Sequence, residues 1–309
     1  MKKIFVLPLA ILILSPLAFA ADGKHYTNIT SNNSDSDDCQ DHLKMYSDDK
    51  PAQARSEETI TLANHPLRVT ASRNGGISVK NWDKQEFQVK ICRVAAAMTE
   101  SEAQQVLVKI RLNSQNGAVS VDGPDANSDD YNNHDYSWSA VLIIRAPVGS
   151  TMDLNSQNGG ISLNRVSANV TAHSQNGGIT LRETTGKMDV EARNGGISIK
   201  DCGGNVKATV QNGGLSIELG ESWKGEGLDA KTHNGGLVVS LPKNFQSSLE
   251  VASSGHSGMI CQSEACDGGQ RTWDDNGRIF KIGNSAPVIH ASTVNGGIVI
   301  KSRDRRGEI

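Results

Sequence analysis

The tripeptide Asn-Gly-Gly followed by Ile or Leu recurs along this chain, and in the middle of the chain it recurs at a fixed step. The asparagines of the most regular copies follow one another every 18 residues: Asn158, Asn176, Asn194 and Asn212. Copies at less regular steps begin at Asn74, Asn116 (as Asn-Gly-Ala), Asn234 and Asn295. A short fixed period indicates that each unit is one structural repeat, stacked on the next.

Apolar and polar residues alternate around each asparagine. Positions six and four before it are apolar or small, as in Met152 and Leu154, and positions three and five after it are apolar, as in Ile161 and Leu163. This alternation is typical of strands with one buried face. Its parity changes across Gly-Gly, which predicts a corner at each of the eight asparagines, with the glycines supplying a left-handed backbone.

The Asn-Gly pairs admit two interpretations. Between alternating strands they are a strong hairpin signal, and a row of hairpins would give an antiparallel meander. The regular 18-residue unit favours stacked parallel coils, in which identical side chains lie ~4.8 Å apart and asparagine amides can hydrogen-bond along a column. We therefore predict an all-β fold, a right-handed parallel β-helix (β-solenoid) of about nine coils, roughly 40 Å long.

The period breaks in three places, where we predict insertions. The capping-box pattern Thr99-Glu-Ser-Glu102 predicts one short helix near residues 95–105. Polar excursions at 122–137 and 261–276 predict loops. Loops carry binding residues more often than the scaffold does, so we expect function at these excursions and on the polar faces of the legs.

The N terminus has the pattern of a secretory signal peptide over residues 1–20, with a charged start, an apolar run at 4–14 and a small-x-small site at 18–20. An uncleaved anchor is the alternative. After cleavage no membrane span is expected, and the chain would be exported to the periplasm, the cell surface or the extracellular space. Residues 21–56 are polar and predicted to be poorly ordered, which leaves 57–309 as a single β-solenoid domain.

The net charge argues against nucleic acid as a partner, and the context of the Gly-Gly segments argues against a nucleotide. The formal net charge is −3 at pH 7, whereas nucleic-acid binding needs a basic surface. No Gly-Gly segment opens a helix or continues as Gly-Lys-Ser/Thr, so no nucleotide or other cofactor is expected.

The chain has five cysteines, and an exported chain permits disulfides. Cys261 and Cys266 lie in one polar loop and are the first pair expected. Cys39 would join the N-terminal segment to Cys92, which leaves Cys202 without a partner.

One acidic segment has part of a calcium-loop pattern. Asp125, Asn127 and Asp129 alternate as in the start of such a loop. Asp130 stands where the invariant turn glycine belongs, however, so a solvated loop is the favoured interpretation and no metal is predicted. The eight histidines form no ligand set of recognisable spacing, and we predict no catalytic residue.

Three segments carry a further indication: Val69–Trp82 with its Arg-Asn-Gly-Gly-Ile-Ser-Val core, the short Ala/Glu-rich helix, and Ala140–Val148, followed by the run of Gln/Arg-Asn-Gly-Gly-Ile units. With them, the chain from about Thr59 to the C terminus resembles the bacterial putative-adhesin family of exported or envelope proteins with β-helical repeats. The family often has Gly-Asp-Ile where this chain has Gly-Gly-Ile. The resemblance implies the solenoid fold and transfers no catalytic or binding residue.

We therefore predict a non-enzymatic exported solenoid, an adhesin or envelope scaffold whose polar face binds a glycan or a protein of the cell surface. One alternative is a β-helix enzyme acting on envelope polysaccharide through paired carboxylates, although no carboxylate recurs at the outward positions of consecutive coils. Another is a structural protein that polymerises end to end through exposed strand edges. Trp273, in the 261–276 loop, is the first place where we expect a contact surface.

Overall fold

A computed structural model describes residues 28–31, 36–46, 51–124, 136–254, 257–274, 277–283 and 288–303. Over these residues the chain is almost entirely β-strand and folds as the predicted β-solenoid. Two sheets, of 12 and 11 strands, enclose one apolar core. The predicted signal peptide lies outside the described residues.

Five central coils each consist of a longer strand in the 12-stranded sheet and a shorter strand in the 11-stranded sheet. The longer strands are β10 (Thr151–Ser156), β12 (Ser167–Ser174), β14 (Thr185–Ala192), β16 (Asn205–Asn212) and β18 (Gly227–Asn234). The shorter strands are β11 (Ile161–Asn164), β13 (Ile179–Arg182), β15 (Ile197–Lys200), β17 (Leu215–Glu218) and β19 (Leu237–Leu241).

The central strands pair in parallel, and equivalent residues of successive coils lie side by side. Leu154 pairs with Ala172, and Ile161 pairs with Ile179, one repeat of 18 residues later. The prediction of stacked coils is thus confirmed, and the antiparallel meander is wrong for these strands. The apolar residues six and four before Asn158, Asn176, Asn194, Asn212, Asn234 and Asn295, and three and five after them, are at most 3% exposed.

Two further coils extend the N-terminal end of the stack, and they are out of chain order. One is formed by β4 (Leu67–Thr70) and β5 (Ile77–Trp82), the other by β8 (Ala118–Asp122) and β9 (Ser137–Pro147). The β4/β5 coil lies directly on β10/β11, and the later β8/β9 coil lies outside it.

The C-terminal end repeats this arrangement. Here β20 (Leu249–Ser253) and β21 (Met259–Gln262) form one coil, and β24 (Ile289–Asn295) and β25 (Ile298–Ser302) form the last coil of the chain. The last coil stacks on β18/β19, and the earlier β20/β21 coil lies outside it. The fixed period could not show this order, because the period gives the shape of a coil and not its place in the stack.

Antiparallel strands cover both ends of the 12-stranded sheet. At the N-terminal end β7 (Arg111–Gln115) pairs with β8. At the other end β23 (Gly277–Ile282) pairs with β20, and β22 (Gln270–Asp274) pairs with β23. A 3-10 turn at Glu264–Cys266 precedes β22. The sheet therefore does not end in a bare parallel strand at either side.

Two strands of 12 residues, β3 (Ala52–Ala63) and β6 (Glu86–Ala97), form the N-terminal end of the 11-stranded sheet. Helix α2 (Glu100–Leu107) follows β6 and packs against both strands. The capping box is present, with Thr99 and Glu102 bonded reciprocally at 3.0 and 3.2 Å. The helix predicted near 95–105 starts later than expected, because residues 95–97 are buried in β6, where strand pairing overrides alanine's helix preference.

Residues 21–56 were predicted to be poorly ordered. This prediction is wrong for residues 28–31, 39–46 and 52–56, which form strands and a short helix. An antiparallel pair of β1 (Asn28–Ser31) and β2 (Leu43–Tyr46), with the short helix α1 (Cys39–His42) between them, forms an N-terminal hairpin that packs against β9. Residues 52–56 belong to β3. The segment is held by a Cys39–Cys92 disulfide and by a small outer cluster of Leu43, Cys92, Val94, Val141 and Ile143. A single leucine and a cysteine anchor it, which a polar average composition hides.

Candidate functional site

The corner asparagines form a hydrogen-bonded ladder along one edge of the stack. Each side-chain Nδ2 donates to the Oδ1 of the asparagine in the neighbouring coil, at distances of 2.8 to 3.1 Å. In spatial order the ladder runs through Asn74, Asn158, Asn176, Asn194, Asn212, Asn234 and Asn295. These amides hold the corners together.

Asn116, the eighth predicted corner, lies elsewhere. It forms the two-residue turn between the antiparallel strands β7 and β8, with φ of 51° at Asn116 and 73° at Gly117. Positive φ at both positions is what a tight hairpin of this kind requires. The hairpin interpretation, wrong for the central coils, is therefore right at this one position.

The first glycine of each corner is needed for space. A Cβ on Gly159, Gly177 or Gly195 would overlap the carbonyl oxygen of the equivalent glycine in the neighbouring coil. Among the described glycines at the corners of the ladder, only Gly213 has a φ within the left-handed range, and at 157° it lies at the limit of that range. The predicted left-handed corner is thus wrong. Left-handed residues line the opposite turn instead, at Arg165, Glu183 and Asp201.

Buried hydroxyls two positions before the asparagine complete the corner. Ser156 donates to the carbonyl of Gly75 at 3.0 Å, and Thr232 and Thr293 donate to those of Gly213 and Gly235 at 2.9 Å. These hydroxyls and the asparagine ladder hold one coil to the next, so we assign the corner residues a structural role.

Beside the ladder, the outer face of the 12-stranded sheet holds a shallow trough. Two adjoining depressions, of about 440 and 460 Å³, share Asn155 and His173. The trough extends from the β7–β8 turn across β4, β10 and β12 to β14. It crosses the strands and so follows the axis of the stack.

The trough carries polar side chains, and each of its two carboxylates has a partner. Arg68 Nε lies 3.1 Å from Asp153 Oδ2, and Asn155 donates to the same carboxylate at 2.8 Å. Glu191 lies 3.7 Å from His173 Nδ1 and accepts from Gln211 at 3.0 Å.

Two amides of the trough are open to solvent. The exposed side-chain amides of Gln157 and Gln175, on successive coils, bond to none of the described residues. They are available to a ligand as both donors and acceptors.

Sequence reasoning missed this trough, although part of the signal was present. The outward positions at 155, 157, 173 and 175 are Asn, Gln, His and Gln, a denser set of amides and imidazole than other coils show at the same positions. The other half of the site could not be found, because the 116–118 turn and Arg68 reach the trough only through the out-of-order stacking of β4 and β8.

The antiparallel strands β22 and β23, with the 3-10 turn before them, form a cap at the C-terminal end of the stack. This cap carries Trp273, the exposed aromatic residue that was expected to mark a contact surface. Trp273 on β22 is 62% exposed, and the Arg278 guanidinium lies 5.2 Å from its ring centre. The Arg271 guanidinium likewise lies 5.5 Å from the ring centre of Phe280, which is buried. Cys261 and Cys266 form a disulfide in this cap.

Cys202 is the free cysteine of the described residues. Burial, the largest influence, raises the pKa of its thiol above the usual value, and Thr184 donates a hydrogen bond to the sulfur at 3.1 Å. A protonated, partly buried thiol is a poor nucleophile, and Cys202 packs against the core.

The weak calcium candidates Asp125, Asn127 and Asp129 lie outside the described residues. Among the residues that are described, no three His, Cys, Asp or Glu side chains converge as a metal-binding group. Within the same ranges, no helix is long and apolar enough to span a bilayer.

Comparison with known proteins decides the family. The Toastrack DUF4097 family model matches residues 24–301. The chain belongs to this family. The match covers nearly the whole chain, including the N-terminal hairpin and the coils at both ends of the stack. None of the curated proteins matches the chain.

Three bacterial proteins are among the solved structures to which this chain is similar. One is a "putative cell adhesion protein" from Clostridium sporogenes, 14% identical, with 81% of this chain and 100% of that chain covered and a TM-score of 0.30. Another is a "putative adhesin" from Bacteroides fragilis, 9% identical, covering 80% and 97% with a TM-score of 0.36. A third is a "putative lipid binding protein" from Parabacteroides distasonis, 11% identical, covering 80% and 96% with a TM-score of 0.33.

Proposed function

We propose that this Toastrack protein is a non-enzymatic binding protein of the bacterial envelope or cell surface, and that its trough holds a glycan chain. The observation that supports this proposal is the run of outward amides on successive coils, with Asn155, Gln157 and Gln175 at its centre. Sugar hydroxyls both donate and accept hydrogen bonds, and so do side-chain amides.

The direction of the trough suits a polymer. Successive coils present equivalent positions every ~4.8 Å along the axis. An extended glycan lying in the trough would therefore meet polar groups at regular intervals, whereas a compact ligand would use only one coil. Each depression also falls within the roughly 300–1,000 Å³ typical of ligand sites.

The carboxylates of the trough favour binding over hydrolysis. Asp153 and Glu191 are separated by the intervening strand β12 and by two positions along the chain direction. Strand geometry places their Cα atoms about 12 Å apart. Glycosidases place two carboxyl groups on either side of the scissile bond, whereas these two carboxylates lie on coils separated by a third, and both already have partners.

The proposal also includes that the protein is exported and that it does not polymerise end to end. The predicted signal peptide supports a location outside the cytoplasm, and the two disulfides favour an oxidising compartment. Antiparallel strands over both ends of the 12-stranded sheet favour a discrete particle over an end-to-end polymer.

The proposal is tested with a glycan array, followed by calorimetry on the glycans that bind. The double variant Gln157→Ala/Gln175→Ala should lose at least about tenfold in affinity, because two hydrogen bonds to the ligand disappear. The matched control Gln246→Ala/Gln262→Ala removes two exposed glutamine amides away from the trough and should bind like the parent protein.

Three outcomes would count against the proposal. Equal loss in both double variants would move the site away from the trough. Release of shortened glycan would favour the polysaccharide-degrading alternative. An array without any bound glycan, together with saturable binding to a purified surface protein, would make the partner a protein.

A further inference from the structure

The chain contains nine Asn-Gly steps, and this dipeptide carries a chemical liability of its own. The backbone nitrogen of the glycine can attack the side-chain carbonyl carbon of the asparagine. A new C–N bond closes a succinimide ring, the side-chain amide leaves as ammonia, and water then opens the ring to aspartate or isoaspartate. Glycine permits the reaction because it has no side chain to hinder the approach.

Solvent exposure does not separate these steps from one another. Asn116 is exposed, and so is every asparagine of the ladder from Asn74 to Asn295. Water and hydroxide reach all eight. Any difference in their reactivity must therefore arise from how the amide and the attacking nitrogen are held.

In the ladder every interior amide is held, and so are some of the attacking nitrogens. An interior amide such as that of Asn194 donates to Asn176 at 3.0 Å and accepts from Asn212 at 3.1 Å. The attacking nitrogens of Gly213 and Gly235 donate to backbone carbonyls at 3.0 Å. Close packing of each corner glycine on the next coil also prevents the backbone rotation that ring closure needs.

Asn116 lacks these restraints. Its carboxamide bonds to none of the described residues, and its turn joins β8 to the edge strand β7. A Cβ on Gly117 would meet only the Pro66 carbonyl oxygen, at 3.0 Å, so the turn is not packed between two coils. The side chain is free to rotate toward the glycine nitrogen.

We propose that Asn116 is a site of spontaneous deamidation in the folded protein, and that the ladder protects the asparagines that form it. The product places a carboxylate at the end of the trough, near Arg68 and Asp153. The modification would therefore change the charge of the candidate site. The chemistry itself does not depend on the proposed function.

The test compares the folded and the unfolded chain at mildly alkaline pH. Samples are taken over time, digested, and mapped by mass spectrometry with chromatographic separation of aspartate and isoaspartate peptides. In the folded protein Asn116 should convert at least about tenfold faster than Asn176, Asn194 or Asn212, because a ladder amide must first give up two hydrogen bonds. In denaturant with reduced disulfides, these steps should convert at similar rates.

Asn276, also followed by glycine, lies outside the described residues and is followed separately in the same maps. Equal conversion of Asn116 and the ladder in the folded state would overturn the proposal. So would a folded-state rate at Asn116 as slow as that of the ladder, with fast conversion after unfolding.

Two variants sharpen the comparison. Asn194→Ala removes one hydrogen bond from each of Asn176 and Asn212 and should accelerate their conversion, whereas Asn116→Asp should leave the melting temperature unchanged. If Asn194→Ala does not fold, the rates in the parent protein still decide. Unchanged rates at Asn176 and Asn212 in a folded Asn194→Ala variant would contradict protection by the ladder.

Discussion

Asparagine and glycine have different tasks at each corner. The asparagine links one coil to the next through its amide, and the glycine lets the two backbones approach closely enough for that link to form. The repeated tripeptide is therefore a unit of packing between coils, and substitutions at its two positions should differ in kind as well as in size.

Asn194→Ala should lower the free energy of unfolding by about 1–3 kcal/mol, because two amide hydrogen bonds are lost. Asn74→Ala at the end of the ladder removes one ladder bond and should cost about half as much. Denaturant titration of both variants checks this gradation. Equal costs would mean that the ladder does not stabilise the stack.

Gly195→Ala should be more damaging, at about 2–4 kcal/mol, since its Cβ meets a backbone carbonyl that cannot move aside. The control is Gly268→Ala, where no atom lies within 4 Å of the added Cβ, and it should change stability by no more than about 0.5 kcal/mol. Both values come from the same titrations. A tolerated Gly195→Ala would show that the coils can separate at low cost.

At this scale the sequence predicted which side chains point inward, because the alternation around Asn194 is unbroken. It did not predict why Gly195 is glycine. A left-handed turn and a close approach both demand glycine, and only the distance between coils distinguishes them.

Single polar contacts join the elements at the ends of the stack. On β20 the Glu250 carboxylate lies 2.9 Å from Lys281 Nζ on β23 and 3.6 Å from His290 Nδ1 on β24. The hydrogen bond from Lys281 is the main cause of a pKa for Glu250 below its usual 4.5. Through these contacts β20 is joined both to the β22–β23 hairpin and to the last coil of the chain.

The lowered pKa gives the pH dependence a definite sign. The folded state binds Glu250's proton less readily than the unfolded state, so the stabilisation is present above pH 4.5 and is lost as the pH falls through the lower folded-state pKa. Glu250→Gln should lower the melting temperature at neutral pH, and the difference from the parent should shrink in acid.

Melting curves across this pH range check the Glu250 prediction. The control is Glu264→Gln, which removes an exposed ion pair with Lys243 and should have little effect at any pH. A Glu250→Gln difference that grows in acid would have the wrong sign.

The capping box of Thr99 and Glu102 correctly indicated a helix, but the start expected near residue 95 was wrong. Nothing local marked residues 95–97 as strand, since their assignment depends on pairing with β3 and β9, whose partners lie far away in the chain.

At the scale of the whole molecule, the number of coils was predictable and their order was not. Each coil repeats the same pattern, so any coil of the stack could in principle pack on any other. The choice at the ends is made by specific neighbours: Asn295 continues the ladder from Asn234, and Arg303 beyond the last strand bonds to Asp201 and Glu218.

The order of the coils has a consequence for truncation. A chain ending at Gly283 lacks only the last coil, but β20 then loses the strand on which it rests. We expect the remaining 249–283 region to detach as well, which would leave β18 as an open edge prone to association. The control is a chain ending at Arg303, which should keep one melting transition and the parent's sedimentation. Parent-like melting of the shorter chain would contradict the stacking order.

A repeat protein of simple order can fold as it is made, each new unit closing on the one before. This chain can do so as far as β19, because β8/β9 and β10/β11 both close on the earlier β4/β5 coil. The β20/β21 coil leaves the ribosome before the coil that must lie beneath it, and it has to wait, unpaired, until the final strands arrive. Completion of the stack thus requires a late contact between distant parts of the chain, the kind of step that is slow and exposes folding intermediates to misassembly.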